Sequence, residues 1–514
     1  METLAPAPSL FRGNENKRRR RLTSEFAIKA FFGSNAVVAV VVLALITIFL
    51  FREGSGFFGQ NLTSLRIYRR AGLEFVDLVR VPSEQHAALS RQLNILRLEE
   101  MRDTPNPAAL QAFDQFATQF SDASDDLNGI LADASDQALA LRDLLLGGAK
   151  ETDAGLDGAA PPRKVGLGQG MVALRATGNR FDSVAAAMKG KIEALLASPP
   201  VLTNRDAQKS FNRWTSDVRA YLAKLPATSE ALRRWDPATP VPVHRAVTSF
   251  LFGSNWVTAS FWQDWYGIIP LLVGSIMVAF VALLLAVPFG VSAAIYVSEV
   301  ANATEKRLIK PYIEFISAIP SVVLGFFGIA VVGQAVRAFS QMPFMRWVPF
   351  FPISERLNVF TAGCLLALMA VPTIFTLSED ALRNVPRGFK EASYALGANR
   401  LQTIVRVLVP TALSGIVSAV LLGLGRVIGE TMVVLLCAGN RIAIPDFTQG
   451  LGLGSVFQPV HTMTGIIAQE MGEVVRGSIH YRALFMVGLV LFVLTLGINY
   501  LAQKIVARYR LSVG

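Results

Sequence analysis

Apolar positions along this chain fall into two regimes. In the first, uncharged runs reach the roughly 20 residues that a helix needs to cross a bilayer. They occupy 30–51, 265–298, 315–336, 357–378, 407–425 and 483–503. The fifth run is interrupted at Arg426 and Glu430, and apolar residues resume over 431–440. Because MVVLLCAG continues the pattern, one longer helix to Gly439 is expected, with both charges near mid-membrane. In the second regime, 53–247, no run approaches spanning length, and apolar residues recur at helical spacing instead. The stripes are Leu89, Leu93 and Leu96; Leu127, Ile130, Leu131, Ala134, Ala138, Leu141 and Leu145; Phe181, Val184, Met188, Ile192 and Leu195; and Phe211, Trp214, Val218, Tyr221, Leu222 and Leu225. They predict an antiparallel helical domain with the stripes as its core. The Gly-, Pro- and charge-rich stretch 147–170 predicts a long loop within it. The expected fold class is therefore an all-α membrane protein: six transmembrane helices, with a large helical insert between the first two.

Composition agrees with the pattern. Hydrophobic residues make up 52% and charged residues 17%, and the mean hydropathy is +0.42, which excludes an ordinary soluble domain and a disordered chain. The net charge of +11 is more informative once divided. Residues 53–247 balance 23 basic against 23 acidic side chains, so the whole excess lies in the membrane part. With the N-terminus inside, as Lys17-Arg18-Arg19-Arg20-Arg21 suggests, inside segments hold 18 Lys and Arg. Outside segments other than the insert hold 7, and Arg426 is left within a span. The charge is thus a topology signal, not a nucleic-acid footprint. Both termini fall in the cytoplasm and the insert outside. The first run is too long and too basic-flanked for a signal peptide and reads as an anchor. Cys364 and Cys437 sit in apolar spans as packing residues, and the isolated His86 and His244 suggest no catalytic group. His461 and His480 lie with Glu470 and Glu473 between the fifth and sixth spans, where a short helix is expected in preference to a metal site of such scattered ligands.

Two motifs carry chemistry. Between the fourth and fifth spans the chain reads Glu391-Ala392-Ser393-Tyr394-Ala395-Leu396-Gly397, continuing to Val407-Leu408-Val409-Pro410. Residues 391–396 are fair helix formers after Pro386-Arg387-Gly388, Gly397 permits a turn that a Cβ would obstruct, and Pro410 suits the base of the next span. This is a short helix across the membrane face, available as a knob for another protein. It resembles the EAA loop of binding-protein-dependent ABC importer permeases, with Glu391, Ala392, Gly397 and Pro410 at the expected offsets. Ser393 stands for the third Ala of that motif. The chain has no G-x-x-x-x-G-K-[ST] phosphate cradle, so a separate ATPase is expected on the 387–402 segment and no cofactor on this chain.

The second motif is GLGRVIGETM, 423–432. Arg426 and Glu430 at i, i+4 would share a helix face, and each charge costs about 2.5–3.5 kcal/mol at a helix centre. Gly425 and Gly429 would allow close helix approach. The planar fork of an arginine suits an anion with two oxygens, with Glu430 holding it. With EFISAIPSVVLGFFG (314–328), FLFGSNW (250–256) and the stretch 464–495, the motif is similar to the phosphate ABC importer permeases of the PstC type. That resemblance implies a type I importer (MetI-like) fold and a non-catalytic permease subunit in the inner membrane, moving phosphate by alternating access. It implies a PstA-type second permease, a PstB-type ATPase dimer and a PstS-type phosphate-binding protein. It places Arg426, Glu430 and Thr431 on the substrate path, and Glu391, Ala392, Ser393, Gly397 and Pro410 in ATPase coupling. The runs and charges give a basic cytoplasmic N-terminus at 1–29, a first span at 30–52, an extracytoplasmic insert at 53–247 and a permease core at 248–514, the insert being the main departure from the family's pattern. A permease for another oxyanion, or a membrane sensor with a helical outer domain, are the alternatives.

Overall fold

The structure is a computed structural model that describes residues 12–101, 107–153, 164–202, 204–345, 347–348 and 350–509. The chain forms two compact units. One comprises Phe58–Phe250 with Val257–Trp265, and the other comprises the rest.

The first unit is helical: the end of α1 (Arg12–Arg70), then α2 (Leu73–Glu100), α3 (Pro107–Asp122), α4 (Asp125–Asp153), α5 (Lys164–Ala197), α6 (Arg205–Arg234) and α7 (Val243–Leu251), whose last residue lies outside the unit. All four sequence stripes lie in its core. Leu93, Leu127, Ile130, Phe181, Ile192, Trp214 and Val218 are buried, and Phe113, Phe116 and Phe120 of α3 join them. The expected loop over 147–170 is shorter than its composition suggested. Helix α4 runs to Asp153 and α5 begins at Lys164, while 154–163 lie outside the described residues. Gly147, Gly148, Gly168 and Gly170 are thus helical, since a glycine costs a helix only about 1 kcal/mol. Residues Val257–Trp265 belong here because Trp262 donates to Asp77 at 3.0 Å and Gln263 to Ser64 at 2.9 Å.

Among the described residues, six helices are long and apolar enough to cross a membrane: Lys29–Arg70 within α1, of which residues to Phe57 belong to the second unit, and Ile269–Val300, Ser321–Ser340, Val359–Arg383, Arg400–Gly429 and Ile479–Ile505 of that unit. The protein is an all-α, multi-pass membrane protein. The second span is α8 (Ile269–Ile295) extended by a π turn, Tyr296–Val300. Helix α9 (Ala303–Ser317), capped by Asn302, precedes the third span, which is built from α10 (Ser321–Phe327), a π turn over Gly328–Val332, and α11 (Gly333–Ser340). The third span therefore starts later than the uncharged run 315–336. Pro320, with φ −59° and ψ 137°, separates it from α9. Proline removes a helical donor and pushes the residue before it out of the helical region. Phe315 belongs to α9 and is exposed.

Helix α12 (Val359–Arg383) forms the centre of this unit. Its Gly363 lets α8 approach so closely that a Cβ there would sit 2.5 Å from Val281. Small residues at such contacts are how membrane helices pack when lipid is as apolar as their side chains. After α12 come α13 (Arg387–Ala395), α14 (Arg400–Thr403), a π turn over Ile404–Leu408, α15 (Val409–Gly429), α16 (Met432–Cys437), α17 (Met463–Glu470) and α18 (Ile479–Tyr509). Phe49 of α1 meets Phe485 of α18 edge-on, with ring centroids 5.6 Å apart. His461 bonds Gln469 at 3.0 Å and His480 bonds Glu470 at 2.7 Å. The Cys437 thiol donates to the Gly325 carbonyl at 3.3 Å.

Candidate functional site

The fifth span does not continue to Gly439. Helix α15 ends at Gly429, Glu430 is extended (φ −72°, ψ 133°), and α16 starts at Met432. The reason is local. Gly429 weakens the helix, and a carboxylate offers the backbone an alternative to the helical ladder. Glu430 Oε1 accepts the Met432 N–H at 3.2 Å. The freed Glu430 carbonyl accepts from the Thr464 hydroxyl at 2.9 Å. A broken helix inside a membrane is tolerated where side chains take over its backbone bonds in this way.

The break separates the two charges. Arg426 stays on α15 and is exposed in this chain, while Glu430 turns onto the break. Among the described residues, no ion pair joins them. Instead, Arg426 Nη1 donates to Thr373 Oγ1 on α12 at 3.2 Å. Thr431 is half-buried, with its hydroxyl 3.5 Å from the Gly429 carbonyl. The close helix approach expected at Gly425 and Gly429 occurs at Gly423. A Cβ on Gly423 would lie 2.8 Å from Ile374, whereas at Gly425 and Gly429 it would meet nothing within 4 Å. Among the described residues, nothing of this chain covers the face holding Gly425, Arg426 and Gly429. Sequence reasoning missed Thr373 and Thr464, because a threonine in an apolar span is an unremarkable residue until its partner is known.

The 387–402 segment forms a helix and a turn. Helix α13 begins after Pro386 and ends at Ala395, and Gly397 just beyond its cap has a φ of +80°, a left-handed turn that suits glycine. The Gly397 N–H bonds to the Tyr394 carbonyl at 2.9 Å, and the Ala398 N–H to Ser393 at 3.2 Å. Glu391 and Ala392 face outward with Tyr394, and Leu396 is 89% exposed. Ser393 faces the other way, buried, with its hydroxyl 2.9 Å from that of Thr403. The serine in the third position thus anchors the knob from beneath. Asn399 caps α14 in a reciprocal pair with Gln402. Pro410 follows the π turn inside one continuous helix, Arg400–Gly429, where it removes a single backbone donor.

Residues 286–511 match the binding-protein-dependent transport system inner membrane component family. The probable ABC transporter permease protein YqgH of Bacillus subtilis is 36% identical over 260 residues, 50% of this chain and 77% of that protein. The chain belongs to this family. The phosphate transport system permease protein PstC of Haemophilus influenzae is 32% identical over 279 residues, 51% of this chain and 84% of its own. PstC 1 of Mycobacterium tuberculosis is 32% identical over 255 residues, 48% and 73% respectively. A chain of the MetNI methionine ABC transporter, in an inward-facing structure, aligns with 47% of this chain and 94% of its own at 21% identity and a TM-score of 0.34, too loose a likeness to carry argument. Membership makes this chain the transmembrane permease subunit of an ABC importer, a system that also comprises an ATPase and a binding protein. The unit built from Phe58–Phe250 lies outside the matched residues.

Proposed function

We propose that the chain is the PstC-type permease subunit of an ATP-driven phosphate importer. It lies in the cytoplasmic membrane with both termini inside, and pairs with a PstA-type permease, a PstB-type ATPase dimer and a PstS-type binding protein. The observation that carries the reading is Arg426, a permanent cation within a span, held by Thr373 where α15 ends and presented on a face that the described residues leave open. A charge so costly in lipid is explained by a polar path, and a guanidinium fork matches two phosphate oxygens. Thr431 and the carboxylate of Glu430 would line the same path. The PstC relatives support phosphate as cargo. Coupling would pass through Glu391, Ala392, Ser393, Gly397 and Pro410 of the knob and its base, the ATPase seating on the exposed side of α13.

The decisive experiment is ATP-dependent orthophosphate uptake by the reconstituted complex, with sulfate and arsenate as competitors. Arg426→Ala should assemble and fail to transport; wild-type uptake in that variant would sink the substrate role. Residues 53–247 would lie outside as a platform for the binding protein. Deleting 60–240 should then weaken binding-protein affinity, and unchanged affinity together with unchanged uptake would remove that role.

A further inference from the structure

The knob is gripped by a second element of the same unit. Lys390 of α13 places its Nζ 2.6 Å from Glu299 Oε1. Arg400, the first residue of α14, donates to the Glu299 carbonyl and, at 3.4 Å, to that of Val300. Both flanks of the knob therefore hold one π turn, Tyr296–Val300, the last turn of the second span. The Glu299 side chain is only 9% exposed, and the Ser298 hydroxyl also donates to Oε1 at 3.0 Å. Lys306 takes the Ser298 carbonyl from the far side at 3.0 Å. Three basic side chains thus gather at a helix C-terminus, where free carbonyls and the helix dipole favour them. Beyond this turn, α8 packs along α12, the helix that bears Thr373.

We propose that Glu299 is the positioning residue through which the coupling segment moves the second span during transport. The proposal rests on the reading of 387–402 as the ATPase seat. A charge-assisted bond at this distance is among the stronger side-chain contacts, and separating its halves would strand a nearly buried carboxylate. The pair therefore holds when the knob is displaced, and the π turn follows. Spatial continuity alone does not establish coupling, so the test must read motion as well as assembly.

The test uses the reconstituted complex with Glu299→Gln, Lys390→Glu and the exchange Glu299→Lys with Lys390→Glu. Four quantities are read: ATPase co-purification, ATP hydrolysis, orthophosphate taken up per ATP, and the change in maleimide labelling of Leu422→Cys on α15 between nucleotide-free and vanadate-trapped states. Glu299→Gln should keep the ATPase bound and hydrolysing. Uptake per ATP should fall about tenfold, in line with loss of a charged hydrogen bond, and the labelling change should disappear. The exchange should restore both, because Arg400 still holds the backbone. A Glu299→Gln complex that moves cargo and label as wild type does would overturn the proposal, as would an exchange that hydrolyses ATP no more productively than the single variants. An ATPase that stays bound to Leu396→Glu would overturn the seat, and the clamp with it. Absent uptake in wild type with the labelling change intact and sensitive to Glu299→Gln would overturn only the choice of cargo, leaving the clamp supported.

Discussion

The guanidinium of Arg426 donates to the hydroxyl of Thr373 at 3.2 Å, joining α15 to α12 across 53 positions of sequence. Thr373 follows Pro372 within α12, and its neighbours Ile374 and Phe375 are buried. The hydroxyl is thus carried on a well-packed helix, and it fixes one of the arginine's donors. Removing it should cost about 1.5–3 kcal/mol of orientation at the charge. We expect Thr373→Val to lower uptake at least tenfold with normal assembly, and Thr373→Ser to retain most of it. Equal uptake in all three proteins would detach the pair from transport.

Glu430 serves the break in two ways, through its carbonyl and its side chain. Glu430→Gln keeps an acceptor for the Met432 N–H, so the complex should assemble, and any altered uptake reports the lost charge. Glu430→Ala and Thr464→Val each leave a backbone group without its partner, at about 1–3 kcal/mol. Both should lower the yield of folded complex in detergent, whereas Thr464→Ser should not. A Glu430→Ala complex as stable as wild type would show that the break holds without its cap.

Gly397 has room for a side chain but not the backbone for one: a Cβ at this position would meet nothing within 4 Å, yet φ is +80°. Gly397→Ala should therefore cost about 1–2 kcal/mol through backbone strain alone. Asparagine, which enters this region more readily, should be milder. ATPase co-purification should fall in the order Gly, Asn, Ala. A loss identical for both replacements would point to size, not conformation.

His86 is buried against Phe120, its rings stacked at 4.5 Å, with Nε2 2.8 Å from the Phe120 carbonyl. Burial lowers its pKa below the usual histidine value. The sign follows. The unfolded chain takes up a proton near pH 6.5 and the folded one only at lower pH, so stability falls as pH drops below about 6.5. Denaturant unfolding of the full protein, followed by tryptophan fluorescence, should shift to lower midpoint from pH 7.5 to 5.5. His86→Phe should shrink that shift; an unchanged shift would assign it to other groups.

Much of this was legible in the chain. Spans announce themselves because a bilayer tolerates few charges over their length, and the stripes of 53–247 do so because a helix buries one face. Gly397 could be placed because a left-handed turn has few other tenants. The third span was misplaced because an uncharged run measures solubility in lipid, not helical continuity, and Pro320 divides it. The fifth was overextended for a related reason. MVVLLCAG is apolar whether or not the helix is broken before it, and the break depends on a Thr464 hydroxyl 34 residues away. Long-range pairs such as Arg426–Thr373 and Lys390–Glu299 leave no periodic mark.

The π turn at Ile404–Leu408 holds one residue more than the α-helical path would, the Val409 N–H reaching back to the Ile404 carbonyl. At 3.6 residues per turn, that extra residue sets everything beyond it back by about 100° relative to an unbroken α-helix. The azimuth of Arg426 is therefore set by a count made at the opposite end of the span. One alanine inserted beside the π turn should rotate the charge away from Thr373, and uptake should vanish from a chain that still contains every residue of the site.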